Sequence, residues 1–145
     1  MHDMTTEQDV FANCACLKVR RAARAVTRAY DEALRPVGLR ATQVSVLVAV
    51  AVGGAQSIAA LAQSLDMDRT TLTRNLGPLQ SEGLVALGEE GWRRSRKLGI
   101  TEKGRARVRK SIPLWEAAQR DLKRRLGEAA WPGMHKALER LIQAA

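Results

Sequence analysis

The stretch from Ser57 to Gly83 constrains this chain more than any other. Ile58, Leu61, Ala62 and Leu65 recur at helical spacing, Asp66-Met67-Asp68 interrupts them, and Leu72, Leu76 and Leu79 resume the period until Gly83 stops it. Ser57 and Asp68 each stand directly before an apolar period. There a side-chain oxygen accepts from the free N–H groups of a helix start, so both are predicted N-caps. Asp66 occupies a place where glycine is common, and aspartate enters the left-handed region more readily than most residues. With its leucines inward, the second helix carries Arg69, Thr70, Thr71, Thr73, Arg74 and Asn75 on or near its outward face. Two helices joined by so short a turn, the second showing Arg, Thr and Asn instead of the usual Glu and Lys, have the pattern of a helix-turn-helix.

Those residue types suit double-stranded DNA. Arginine makes two hydrogen bonds to guanine O6 and N7, a threonine methyl packs on the thymine methyl, and hydroxyls, with Ser57 among them, reach phosphate. Each good base contact is worth roughly 1–3 kcal/mol of discrimination. The plainer alternative is a solvated polar face, and the flanking sequence weighs against it. Leu84 to Leu87 and Arg96 to Ile100 can pair as a hairpin around a basic loop holding Trp92, Arg93 and Arg94. From that wing Arg93, Arg94 and Arg96 can reach phosphates or the minor groove. Arg94 and Arg96 share one strand face and Lys97 takes the other.

The flanks read as helices. Ala15, Val19, Ala22, Val26, Ala29 and Ala33 step by four and three, which predicts one amphipathic helix over about 10–36, ended by Pro36 and Gly38. Val44 to Val52 alternates valines in a strand-like period. The intervening residues are mostly apolar too, and the helix-turn-helix that follows favours a buried helix closed by Gly53-Gly54. Thr101 is a predicted cap for a long helix to about Leu126, kinked at Pro113, and a last helix follows over about 128–144 with Pro132 in its first turn. The expected fold class is mainly α with a small β-wing. A winged helix-turn-helix lobe over about 40–100 joins a helical dimerisation lobe over about 10–36 and 102–145, within a single 1–145 domain whose first and last helices pack together.

Charge and composition agree. The net charge of +9, from 24 Lys and Arg against 15 Asp and Glu, points to a polyanionic partner. At 46% hydrophobic and 27% charged the chain can bury a core. No stretch approaches the ~20 uncharged apolar residues that span a bilayer. The start MHDMTTEQD lacks the pattern of a secretory leader, so a cytoplasmic location and no membrane partner are expected. A nuclease or transferase acting on nucleic acid, or a non-specific DNA-binding module, is the rival class. Against an enzyme, the chain has no Gly-rich phosphate loop, no compact carboxylate cluster, and only His2 and His135 as histidines, so no cofactor or metal is expected.

The run LAQSLDMDRTTLTRNLGPLQSEGLV, followed by WRRSRKLGITEKG, resembles the MarR family of transcriptional regulators over nearly the whole chain. The resemblance implies a homodimer built on the first helix and the last two, placing one recognition helix per subunit in successive major grooves of a pseudo-palindrome. It further implies a repressor controlled by a small-molecule effector or by oxidation. Two places depart from the family pattern. Trp92 stands where the wing often has Asp, leaving Arg94 without that carboxylate, and Pro78 lies inside the recognition helix, removing a hydrogen bond to the Arg74 carbonyl.

Cys14 and Cys16 admit three readings. On a continuous helix they point roughly 200° apart, as packing or dimer-interface residues would. Cys16, near Lys18 and Arg20, suits a peroxide sensor; a frayed first turn could instead hold a soft metal with His2. Leu114, Trp115, Leu122, Trp131, Leu138, Leu141 and Ile142 give the C-terminal helices more apolar surface than one hairpin hides, so a second chain is expected to cover them, leaving room for a ligand pocket beside the DNA-binding lobe.

Overall fold

The computed structural model describes residues 5–88 and 97–145. Among these the chain runs α1 (Glu7–Asn13), α2 (Ala15–Leu34), a 3-10 turn (Arg35–Val37), α3 (Ala41–Gly53), β1 (Gln56–Ser57), α4 (Ile58–Ser64), α5 (Arg69–Ser81), β2 (Val85–Leu87), β3 (Lys97–Ile100), α6 (Glu102–Leu126) and α7 (Ala130–Ala144).

Helix α3 is central and packs against α2, α4, α5, α6 and β3. Val44, Val46, Leu47 and Val50 are buried, while Val48 and Val52 emerge. Covered on most sides, a helix can carry valines at every second position, and the strand-like alternation carries no structural meaning. Around α3 the side chains of Leu34, Leu61, Leu72, Leu76, Leu84 and Leu98 are almost wholly removed from water. Each such leucine contributes about 1.5–3 kcal/mol of transfer free energy, so this one cluster dominates the stability of the lobe.

The N-terminal helix is not continuous. Cys14 takes an extended conformation (φ −64°, ψ 114°) that both ends α1 and begins α2. The two ladders meet at this residue without a backbone bond across it: the Cys14 N–H closes α1 on the Val10 carbonyl at 2.9 Å, and the Lys18 N–H opens α2 on the Cys14 carbonyl at 3.1 Å. At its other end α2 stops at Leu34, two residues before Pro36, which is absorbed in the 3-10 turn. Gly38 follows with φ +67°, the left-handed value that glycine takes without strain.

The sheet holds three strands in the order β1-β3-β2, where the sequence predicts two. In the hairpin Val85 faces Ile100 and Leu87 faces Leu98. On the far edge of β3 Gln56 pairs with Leu98 and Ser57 with Lys97. The chain entering the helix-turn-helix is thereby tied to the second strand of the wing. The hairpin docks on α6 through Thr101 and Gly104. The Thr101 hydroxyl donates to the Gly83 carbonyl at 2.6 Å and accepts from the Gly104 N–H at 3.0 Å. A Cβ on Gly104 would lie 2.1 Å from the Leu84 carbonyl oxygen, so only glycine lets the strand approach this closely.

Helix α6 runs unbroken past Pro113 to Leu126. It is the main partner of α2, across which Tyr30 donates a hydrogen bond to the Gln119 side-chain oxygen. Within one chain α7 rests on α6 and buries none of its residues, while α2 packs on α6. No single helix among the described residues is long and apolar enough to cross a membrane.

Candidate nucleic-acid interface

The predicted caps are in place. The Ser57 Oγ accepts from the Ala60 N–H at 3.1 Å and starts α4. Helix α4 ends with the Met67 N–H on the Ala62 carbonyl at 2.9 Å and the Asp66 N–H on the Gln63 carbonyl at 3.2 Å, the paired bonds of a Schellman closure. Asp66 holds the left-handed position this closure needs, at φ +51°, and is the one described non-glycine residue with positive φ. Immediately after, Asp68 caps α5: its carboxylate accepts from the Thr71 N–H at 2.8 Å and from the Thr71 hydroxyl at 2.7 Å. These bonds favour the ionised form and hold the Asp68 carboxyl below its usual value.

This geometry divides the six residues predicted on the outward face. Leu72, Leu76 and Leu79 are buried against the core. Thr70, Thr73 and Arg74 lie on the opposite side and are exposed, as is Arg69 at the N-terminal tip. Thr71 and Asn75 sit on the flanks, half-buried, and the Thr71 hydroxyl proton is engaged by Asp68. Neither Arg69 nor Arg74 has an ion-pair partner among the described residues. Both guanidinium groups lie at the surface, and Arg69, in the first turn of α5, stands at the helix end whose dipole attracts anions. Pro78 falls one turn beyond Arg74. The helix continues through it to Ser81, so the proline costs the bond to the Arg74 carbonyl without ending the helix.

Residues 89–96, with Trp92, Arg93, Arg94 and Arg96, lie outside the described residues; Lys97 opens β3 and is exposed. The basic residues at the start of α6 divide by role. The Lys103 ammonium donates to the Glu82 carbonyl at 2.7 Å and the Arg107 guanidinium donates to the Val37 carbonyl at 3.1 Å, while Arg109 pairs with Glu102 at 3.0 Å. Lys103 and Arg107 therefore fasten α6 to the end of α5 and to the 3-10 turn.

Cys14 is half-buried at the helix break, where its Sγ accepts from the Leu17 N–H at 3.5 Å, and Cys16 is exposed in the first turn of α2. The opposite-faces geometry expected of one continuous helix does not apply to this pair, because Cys14 is not within a helix. Among the described residues no group of three His, Cys, Asp or Glu is assembled as a metal site; His2 lies outside them.

A cavity of about 980 Å³ opens between α2, α3 and α6. Tyr30, Val48, Ser111 and Trp115 line it, and so do Leu65 and Met67 from the turn that sets α5. From the sequence a pocket beside the DNA-binding lobe is expected, but not its residues. The lining comes from four separated segments, which only the folded arrangement brings together.

No protein-family model matches the chain, and neither does any curated protein. Solved structures do. The transcriptional regulator MosR of M. tuberculosis, in complex with DNA, is 39% identical, with 91% of this chain and 96% of that one aligned at a TM-score of 0.81. CouR from Rhodococcus jostii RHA1, bound to p-coumaroyl-CoA, is 22% identical over 90% of this chain and 93% of that one, at a TM-score of 0.72. A MarR-family regulator from Rhodococcus sp. RHA1 is also 22% identical, over 95% of this chain and 96% of that one, at a TM-score of 0.75. With a capped recognition helix, a three-stranded wing sheet and a relative this similar along its whole length, the chain belongs to the MarR family of winged helix-turn-helix transcriptional regulators.

Proposed function

We propose that this protein is a sequence-specific DNA-binding regulator that recognises a pseudo-palindromic operator as a homodimer and represses until a signal releases it. The observation that carries the reading is the outward face of α5. Thr70, Thr73 and Arg74, with Arg69 at the tip, stand exposed on a helix anchored from behind by three buried leucines. That combination presents base-reading groups on a rigid support, which direct readout in the major groove requires. The DNA complex of MosR supports it from outside. Arg93, Arg94 and Arg96 are assigned to the wing, against phosphate or the minor groove.

The dimer is supported by α7, whose Leu138, Leu141 and Ile142 are 43%, 42% and 59% exposed in a single chain. An apolar ridge of this kind stays in water only at a cost that a second copy removes. Control by a small effector is supported by the cavity, which touches both the α2–α6 pair and the helix-turn-helix turn. An oxidant is a second signal, supported by the exposed Cys16; peroxide should then weaken DNA binding, and Cys16→Ser should abolish that response. No catalytic role is assigned to any residue.

Selection from random duplex DNA tests the main reading. The wild-type protein should enrich a pseudo-palindrome with half-sites about one helical turn, ~10 bp, apart. Arg74→Ala should enrich that motif roughly 10-fold less or worse while remaining a folded dimer by sedimentation. Failure of the wild-type protein to enrich any motif would sink the proposal.

A further inference from the structure

The α2–α3–α6 cavity has a chemistry of its own. Its lining contains no Lys, Arg, His, Asp or Glu. An ionised group entering it would leave water without meeting an opposite charge, and burial of an unpaired charge is among the most unfavourable steps in protein chemistry. The apolar walls are broken by a few hydroxyls, and three of these have already used their only proton. Tyr30 donates to Gln119, Ser45 donates to the Ala41 carbonyl at 3.0 Å, and Ser111 donates to the Val108 carbonyl at 2.7 Å. What they can still offer an occupant is oxygen lone pairs. Thr27 and Thr42 also line the cavity, as does Trp115 with its indole ring. Partial burial raises the Tyr30 phenol above its ordinary value, so it stays a neutral hydroxyl at working pH.

We propose that this cavity binds an uncharged, mainly apolar small molecule carrying at least one O–H or N–H donor, and that occupancy is felt by the turn before α5. The inference rests on the regulator reading above and gives its effector a chemical class. At about 980 Å³ the space is at the upper end of ordinary ligand cavities and takes a molecule of two or more fused rings. The donor of the ligand meets the acceptor-only hydroxyls, and its rings lie along valines and Trp115. Leu65 and Met67 belong both to the lining and to the turn that ends in the Asp68 cap. Met67, unbranched and easily repacked, is the residue through which an occupant would shift the turn.

The test is calorimetric titration of the full-length protein near neutral pH with 2-naphthol and with 2-naphthoate. The two share their rings and differ in bearing a neutral donor or an anion. Naphthol should bind, and naphthoate should bind at least about tenfold more weakly. Val48 lies on an exposed part of the wall, so Val48→Trp should remove naphthol binding with the melting temperature kept. Val48→Lys should reverse the preference toward naphthoate. Naphthoate binding as tightly as naphthol overturns the proposal, as does naphthol binding that survives Val48→Trp. Binding of neither probe, the result if side chains of the second copy fill the space, overturns it as well. A motif enriched from random DNA without probe binding removes the ligand class and leaves the regulator; probe binding without a motif does the reverse.

Discussion

The helix-turn-helix lobe and the terminal helices solve the burial problem in opposite ways. Helices α3, α4 and α5 with the wing sheet bury Leu47, Leu61, Leu72, Leu76, Leu79, Leu84 and Leu98 inside one chain. Helix α7 has a comparable share of leucine and isoleucine and buries none of it. The lobe covers its own apolar side chains, whereas α7 leaves Leu138, Leu141 and Ile142 in water within one chain, the surface that the proposed dimer would cover. Under the proposed function this is a division of labour between a reading head whose stability does not depend on concentration and an assembly surface that brings two heads to the DNA.

Mutations in each region should therefore differ in kind. Leu76→Ala, in the lobe, should lower unfolding stability by about 2–5 kcal/mol at every protein concentration, as followed by denaturant melts. Replacing Leu138 and Leu141 together with Glu should leave the lobe folded but weaken self-association by at least about 100-fold, or about 2.7 kcal/mol, in sedimentation equilibrium. If both variants lose stability independently of concentration, the contrast between the regions is wrong. Gly104→Ala probes the seam between them. Its methyl would collide with the Leu84 carbonyl, so a loss of about 1–3 kcal/mol is expected, with β2 and β3 losing amide-exchange protection first. Asp66→Gly should do the opposite on a smaller scale, stabilising by up to about 1 kcal/mol by relieving the left-handed aspartate.

The Asp68 cap adds a pH dependence. Its carboxyl is held below the ordinary value by the bonds from Thr71, so its contribution is fully present above the unfolded-state value and is lost as pH falls through the folded one. Wild-type protein and Asp68→Asn should accordingly converge in stability in acid and separate toward neutrality.

Most of the reading head was legible because its signals are local. The leucine period and the caps at Ser57, Asp68 and Thr101 act within four residues and recur in the structure at the predicted positions. The exposure of Thr70, Thr73 and Arg74, the face proposed to read DNA, followed from the same period. What escaped was short or long-range. Two-residue β1 has no periodicity to show, and the break at Cys14 comes without Gly or Pro. The engagement of Thr71 by Asp68 is visible only once the cap is built. The pairing of α2 with α6, and the cavity beside it, depend on contacts between residues far apart in sequence.

The central claim is that sequence is read by the exposed face of α5. Its most direct test is the ratio of affinities for the selected site and a scrambled duplex, measured at one fixed salt concentration for wild type and Arg74→Ala. The wild-type ratio should be at least about 10³. The substitution should bring it down by roughly 10-fold or more, while affinity for scrambled DNA changes little. An unchanged ratio in Arg74→Ala, with dimer and fold intact, would contradict the account.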